Sequence, residues 1–551
     1  MAADVSLTLG GVLKQVAGRH GGGEAIVDLP SGARLSYAQF DQASDELARA
    51  FIALGLEPGQ RLALWAPNQP QWLITMYAAA KAGVVLSSVD TSFGAEELAY
   101  QLGQSRCAGL VLAPGLEGRE YLAALASLCP GLDQAAPSGL ACQALPELKR
   151  VIVLGDQAPA GALTWDQALE LGRSAPPGEL ERRMAAVEPG DAATLLYTSG
   201  TTGRPKGVMS PHRGLIMTSL AGGENQRLGS SDRLVVSVPL CHMFGCICIA
   251  LAGIIQGATL VIPSRLPEPA AILRAVVEEN CTALYGPPTS FIAMMDDPAY
   301  QQATGAGLRT GVMAGAQCPI EVMHKVVEEM GVKDILIGYG QTEASSWIAT
   351  SRPDDPLELR VSTVGRPVPG AEAKIVDPAS GETLPPGQVG EICTRGYVMK
   401  GYFDMPAETA QAIDAEGWLH TGDLGSMDEQ GYIRISGRLK EVIRKGGRIV
   451  FPADIEEVLF GHPAVNTAQA FGVPHQQLGE EVACWIKLEK DAKLNQAQVL
   501  DYLRDKLPEN HLPAWVRFVD EFPMTPLGKI QKYRMREIML AELESSAGQK
   551  A

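Results

Sequence analysis

Residues 61–90, "RLALWAPNQPQWLITMYAAAKAGVVLSSVD", decide the fold class. "RLALWAPN" is a short apolar run ending in turn residues and predicts a buried strand. "QWLITMYAAAKAG" is a longer run closed by glycine and predicts a helix, and "VVLSSVD" predicts a second strand. Strand, helix, strand in thirty residues is the unit from which parallel sheets are built, because the crossover helix returns the chain to the same sheet end.

Outward from this unit the pattern repeats. Upstream, "SYAQFDQASDELARAFIALGLEPG" carries Phe40, Leu47, Phe51 and Leu54 at helical spacing, with Ser36 as N-cap and Gly55 as the stop. Downstream, "AGLVLA" and "KRVIVLG" predict further buried strands. The Pro/Gly/Ala-rich region near residues 130–180 is expected to be surface connection. After about residue 360 short strands such as "AEAKIVD", "GEICTRG" and "GYIRISG" alternate with Gly, Pro and Asp turns, which predicts a small β-rich subdomain. From about residue 440 the α/β texture returns, with "PADIEEVLFGH" and "NQAQVLDYLRDKL" as helices. The expected class is α/β: a large N-terminal domain of largely parallel sheets with a β-rich part, then a small α+β C-terminal domain. No internal repeat or low-complexity segment is present.

Composition sets outer limits. The 551 residues are too many for one core, and 46% hydrophobic with 20% charged residues is a globular balance. A formal charge of −17 repels phosphate backbones, so nucleic acid is not an expected partner, and any anionic ligand must meet a local basic patch. The N-terminus does not read as a secretory signal, and the most apolar run, Met243 to Ile255, is too short for a membrane span and predicts a buried helix or strand–helix pair. Ten scattered cysteines fit a reducing cytoplasm better than a disulfide framework. "CHMFGCIC", with Cys241, His242, Cys246 and Cys248, lacks the paired spacing of a zinc site and predicts core packing.

The apolar run "AATLL" is followed by Tyr197 to Arg213, "YTSGTTGRPKGVMSPHR". Gly200, Gly203 and Gly207 let backbone N–H groups approach an anion, Thr198, Ser199, Thr201 and Thr202 add hydroxyl donors, and Arg204 and Lys206 add charge. The loop reads as a phosphate cradle, with a plain polar turn as the alternative, and not as a Walker A loop, since Pro205 stands where the second glycine would fall.

"YTSGTTGRPKGV" resembles the phosphate-binding signature of the adenylate-forming superfamily: acyl-CoA synthetases, peptide-synthetase adenylation domains and firefly luciferase. "YGQTEAS" (339–345), "GWLHTGDLG" (417–425), "GRLKEVIRKGG" (437–447) and "TPLGKIQK" (525–532) resemble further family motifs in family order. Among the branches the chain is most similar to medium-chain or fatty acyl-CoA synthetases. The resemblance implies ATP, Mg²⁺ and CoA as cofactor or co-substrates, and a carboxylic acid as the other substrate. It also implies residue roles. Lys529, Thr198, Glu343 and Lys206 would be catalytic, with Glu343 the Mg²⁺ ligand. Gly315, Ala316, Tyr339, Gly340, Gln341 and Thr342 would join the cradle around the nucleotide, with Tyr339 offering a face to adenine. Asp423, on a turn, would anchor the ribose, with Arg438 as second contact. His242, Phe244, Gly315 and Gly340 would border the acyl group.

The segment 438–448 brings five cations into eleven residues, a basic island in an acidic chain. The resemblance places a hinge at Lys440, dividing domains 1–438 and 439–551, and a CoA contact at Gly446 and Gly447 beside Lys445. Arg448, Ile449 and Gln317 depart from the usual family residues. The expected function is an acid–CoA ligase on a medium-length aliphatic acid. An enzyme loading a carrier protein in trans, a luciferase-like oxygenase and a catalytically silent scaffold share the motifs; intact Lys206, Glu343, Asp423, Arg438 and Lys529 weigh against the last. The sequence leaves a homodimer open.

Overall fold

The structure, a computed structural model, describes residues 6–136, 140–198, 204–316, 318–475, 477–524 and 530–548. The deciding stretch folds as expected: strand Arg61–Trp65, helix Pro70–Ala82 with Pro70 at its first turn and Gly83 in the left-handed region at its end, then strand Val85–Ser88. The two strands pair in parallel. Ser36 caps helix Tyr37–Ala53, its side chain accepting from the Gln39 N–H while Gln39 returns a bond to the Ser36 N–H.

Two large sheets carry the N-terminal part. An eight-stranded sheet runs from Gly401–Tyr402 at one edge through Lys206–Pro211, Ala192–Thr198 and the Arg61–Ser88 unit to Leu163–Thr164 at the other. Its centre is parallel. A nine-stranded sheet has a parallel centre from Glu24–Asp28 to Asp334–Gln341, flanked by antiparallel edges. Helices buried on nearly every side, such as Pro70–Ala82, pack into the main apolar core.

The β-rich part is a four-stranded antiparallel sheet whose strands begin at Glu372 and end at Arg438. It starts later than expected: helix Leu357–Ser362 lies before it, and Arg366–Pro367 pairs with the large sheet. The chain beyond forms another sheet over its own core of Ile443, Val450, Ile455, Val482 and Ile486. Helices Pro452–Phe460 and Gln496–Arg504 occur where expected.

Three expectations need correction. Residues 130–180 are not mainly surface connection: Arg150–Val153 and Leu163–Thr164 extend the parallel sheet, and helix Trp165–Gly172 packs on helix Tyr37–Ala53 so closely that a Cβ at Gly172 would meet the Ala50 backbone at 2.8 Å. The cysteines are not all free: Cys129 and Cys142, with Cα atoms 4.9 Å apart, form a disulfide. Asp423 lies within strand Leu419–Met427, not on a turn, although Gly422 before it takes φ +72°. The apolar run 243–255 is a buried helix, π-type over Phe244–Leu251 and α over Ala252–Ile255. Among the described residues, no helix is long and apolar enough to cross a membrane.

Candidate active site

The predicted phosphate side converges at the ends of strands from both large sheets. Strand Ala192–Thr198 ends on Thr198, whose partner in the antiparallel ladder is Lys206. Gln341 ends strand Asp334–Gln341, and Thr342–Ala344 form a single 3₁₀ turn that presents Glu343. The Thr198 hydroxyl donates to Glu343 Oε1 at 3.4 Å. Tyr402, which motif reading did not single out, donates to the same oxygen at 3.0 Å, and Lys206 Nζ stands 4.7 Å from the Tyr402 ring centre. A cation, two hydroxyls and a carboxylate thus share one corner. Burial and the adjacent Glu343 carboxylate both raise the Tyr402 pKa, so its phenol stays a donor. Ser199, Gly200, Thr201, Thr202 and Gly203 lie outside the described residues, as do Gln317 and Lys529. On either side of Lys529, Met524 and Ile530 pair as a β-bridge.

The predicted ribose side is a paired set. Asp423 and Arg438 are opposite one another across antiparallel strands, and Arg438 Nε approaches Asp423 Oδ1 at 3.2 Å. The Tyr339 hydroxyl donates to Asp423 Oδ2 at 2.9 Å. Tyr339 is therefore tied to the predicted ribose anchor through its hydroxyl, a link motif reading did not anticipate; burial, then Asp423, raise its pKa well above the ordinary value. A further layer holds the strand: Gly422 N–H donates to Glu391 Oε1 at 3.0 Å, while Glu391 Oε2 lies 2.9 Å from His420 Nδ1. Cys393 completes a trio of potential metal-binding side chains with these two. Both Glu391 oxygens already have partners, so the trio is explained as a brace for the strand that carries Asp423.

Gly340 owes its identity to crowding: a Cβ there would stand 1.7 Å from the Ser346 carbonyl oxygen. Gly315, at φ +87°, and Ala316 follow strand Thr310–Ala314, the neighbour of Asp334–Gln341. On the predicted acyl side, His242 Nε2 lies 3.1 Å from Asp90 Oδ2, a close ion pair without the alignment of a hydrogen bond. Burial works against the imidazolium, but Cys241 and Asp90 outweigh it and raise His242 to about 10. Phe244 meets Trp347 edge to face, with ring centres 5.9 Å apart. Neither Asp90 nor Trp347 was legible as a site residue; Asp90 follows a strand in the first sheet and reaches His242 only through the fold.

In the C-terminal part, Gly446 and Gly447, at φ +59° and +76°, form the two-residue turn between paired strands Ile443–Lys445 and Arg448–Val450. Successive left-handed residues suit the twist of a hairpin, which gives this glycine pair a structural reason of its own. Lys445 turns inward: its ammonium bonds Glu481 at 2.5 Å and the Leu512 carbonyl at 3.2 Å. Lys440 is exposed in the turn between Arg438 and Ile443, where Leu439 N–H donates to the Gly422 carbonyl at 2.9 Å. Ile320 N–H donates to Glu457 across the two parts at 3.4 Å.

Comparison with known proteins agrees with this arrangement. The "AMP-binding enzyme" family model matches residues 13–403, and the "AMP-binding enzyme C-terminal domain" matches 454–529. The chain is 41% identical to Bacillus subtilis YngI, covering all of both chains. It is 35% identical to the Danio rerio "Medium-chain acyl-CoA ligase ACSF2, mitochondrial", over 97% of this chain and 88% of that one. Among solved structures, ATP-bound MatB from Rhodopseudomonas palustris superposes with a TM-score of 0.81 at 27% identity, covering 96% of this chain and 99% of that one. An anthranilate CoA ligase, AuaEII, holding anthranoyl-AMP gives 0.84 at 25% identity, covering 98% of each. The chain belongs to the AMP-binding, adenylate-forming enzymes, and within them it is an AMP-forming acid–CoA ligase.

Proposed function

We propose that the enzyme joins a medium-length aliphatic acid to CoA through an acyl-adenylate. The observation that carries this reading is the corner where Thr198, Lys206, Glu343 and Tyr402 meet, joined through the 339–345 motif to the Tyr339–Asp423–Arg438 set. In the first step a carboxylate oxygen attacks the α-phosphorus of ATP, and the phosphorus–oxygen bond to pyrophosphate breaks, its electrons leaving with pyrophosphate. The barrier is largely repulsion between anions, so oriented cations and donors are what the protein must supply. Asp423 and Arg438 hold the ribose hydroxyls. Thr198 donates to phosphate oxygens, Lys206 adds charge, and Ser199 to Gly203 complete the cradle. Glu343 is the residue to hold Mg²⁺, being a half-buried carboxylate at the phosphate corner; that ion, when bound, neutralises phosphate oxygens. Lys529 bridges the incoming carboxylate and the α-phosphate.

In the second step the CoA thiol loses its proton to solvent, its sulfur bonds to the acyl carbonyl carbon, and the bond from that carbon to the phosphate oxygen breaks, its electrons leaving with AMP. Residues 439–551 form the mobile domain, pivoting at Lys440 between two orientations. Gly446 and Gly447 border the CoA arm, while Lys445, held by Glu481, acts as a brace for that turn. The apolar neighbours Phe244 and Trp347 favour an aliphatic acid, and the ACSF2 relatives support medium length. The test is a panel of acids from two to eighteen carbons, including dicarboxylic and aromatic acids, scored for pyrophosphate release with and without CoA and for thioester product. A maximum at intermediate aliphatic length with thioester formed supports the proposal. Pyrophosphate release with no thioester to CoA would favour a carrier-protein acceptor.

A further inference from the structure

Trp347 is almost entirely buried, 4% exposed, yet its indole N–H has no hydrogen-bond partner among the described residues. Buried tryptophans in well-packed cores usually find an acceptor. Its position is also unusual. It pairs with Gly340 across strands Asp334–Gln341 and Ser346–Thr350, two residues after Ser345 takes a left-handed φ of +53°. The ring then fills space that two glycines leave open. A Cβ at Gly338 would stand 2.5 Å from Trp347 Cζ3, and one at Gly222 would stand 2.6 Å from Nε1. Gly338 belongs to the strand under the nucleotide side and Gly222 to helix His212–Asn225. The indole therefore spans from sheet to helix, immediately beside Gly340, and presents its flank to half-buried Phe244.

We propose that Trp347 is the chain-length stop of the acyl pocket: the indole closes the far end of the space bordered by Gly340 and Phe244, and so sets the longest acid accepted. This rests on the acyl-pocket reading above. A chain entering from the phosphate side passes Gly340 and meets the indole. Because the ring is clamped between the backbone of Gly338 and that of Gly222, it has no room to retreat, and a longer acid must displace a packed core residue.

The test compares wild type with Trp347→Val, Trp347→Phe and Gly222→Ala over a straight-chain acid series, measuring kcat/KM for acyl-CoA formation, the KM for ATP and the melting temperature. Trp347→Val should raise kcat/KM for acids longer than the wild-type optimum by roughly tenfold or more, the scale on which pocket methylenes discriminate, with an unchanged KM for ATP. Trp347→Phe, which keeps an aromatic core, should shift the optimum the same way by less. Gly222→Ala pushes on Nε1 from the helix and should shift the optimum to shorter acids. Equal loss for every acid, or an unmoved optimum in folded Trp347→Phe and Trp347→Val, overturns the proposal in favour of plain core packing. A wild-type enzyme that forms acyl-CoA with no acid in the series instead removes the acyl-pocket reading, and this proposal with it, before any variant is compared.

Discussion

The two sides of the proposed site are built by different means. On the nucleotide side, polar groups hold one another: Tyr339 and Arg438 fix Asp423, Glu391 braces Gly422, and Thr198 and Tyr402 share Glu343. On the acyl side, shape does the positioning: Phe244 leans on Trp347, and Trp347 lies against two glycines with its N–H unmet among the described residues. ATP is the same in every turnover, so its atoms can be met by fixed donors and acceptors. An aliphatic chain offers no such atoms and can be selected only by volume. Changes on the nucleotide side should therefore scale all acids alike, whereas changes on the acyl side should reorder them.

The largest expected effect tests the junction of the two sides. Lys529→Ala should slow adenylation by roughly 10²- to 10³-fold, the usual result of deleting one oriented electrostatic contact. Thioester formation from supplied acyl-adenylate should change far less, which a half-reaction assay by quenched flow reads directly. Glu343→Gln comes next. It should cost about 10² in turnover and alter the Mg²⁺ dependence by the same factor for short and long acids. An acid-dependent loss would blur the division between the sides.

Asp423→Asn removes a charged partner of Arg438 and should raise the KM for ATP roughly tenfold or more, since charge-assisted hydrogen bonds contribute about 1.5–3 kcal/mol. Tyr339→Phe deletes one hydrogen bond to the same carboxylate and should raise it only about fivefold. Steady-state kinetics at saturating acid measure both, and a reversed order would mean that Tyr339 does more than orient Asp423.

The smallest expected effect is on stability and comes from the His242–Asp90 pair. His242 is raised to about 10 beside Asp90, so the folded state holds a proton that the unfolded chain, with a histidine near 6.5, releases earlier. The pair's stabilisation is then full below about pH 6.5 and lost as pH rises through about 10. His212 behaves in the opposite sense. Burial lowers it to about 4, and its Nδ1 accepts from the Leu9 N–H at 3.2 Å, so its contribution is present above about pH 6.5 and lost as pH falls through about 4. Denaturant melts of wild type and Asp90→Asn should differ most at pH 5–6 and converge towards pH 10.

The sequence made the nucleotide side far more legible than the acyl side, for the same physical reason. Fixed polar chemistry demands particular residue types at particular spacings, so Thr198, Lys206, Glu343, Asp423 and Arg438 stand out in motifs, and the structure brings them into two adjoining groups. Tyr402 and Glu391 act on those groups from other strands, where a lone Tyr or Glu carries no signal. Asp90 and Trp347 depend on which strand ends the fold brings beside His242 and Phe244, and sequence periodicity cannot supply that. The alternating elements were legible because buried parallel strands and capped helices follow local rules, as at Ser36 and Gly83. The Cys129–Cys142 disulfide was missed because pairing depends on Cα positions set by the loop after Leu128, not on spacing.

One measurement bears most directly on the central claim. Purified enzyme with ATP, Mg²⁺, CoA and octanoic acid is assayed by mass spectrometry for AMP, pyrophosphate and octanoyl-CoA, with octanoyl-adenylate followed when CoA is withheld. The account predicts AMP, pyrophosphate and octanoyl-CoA in equal amounts, and enzyme-bound octanoyl-adenylate without CoA. ADP and phosphate as products, or octanoyl-CoA formed with no adenylate accumulating when CoA is absent, would contradict it.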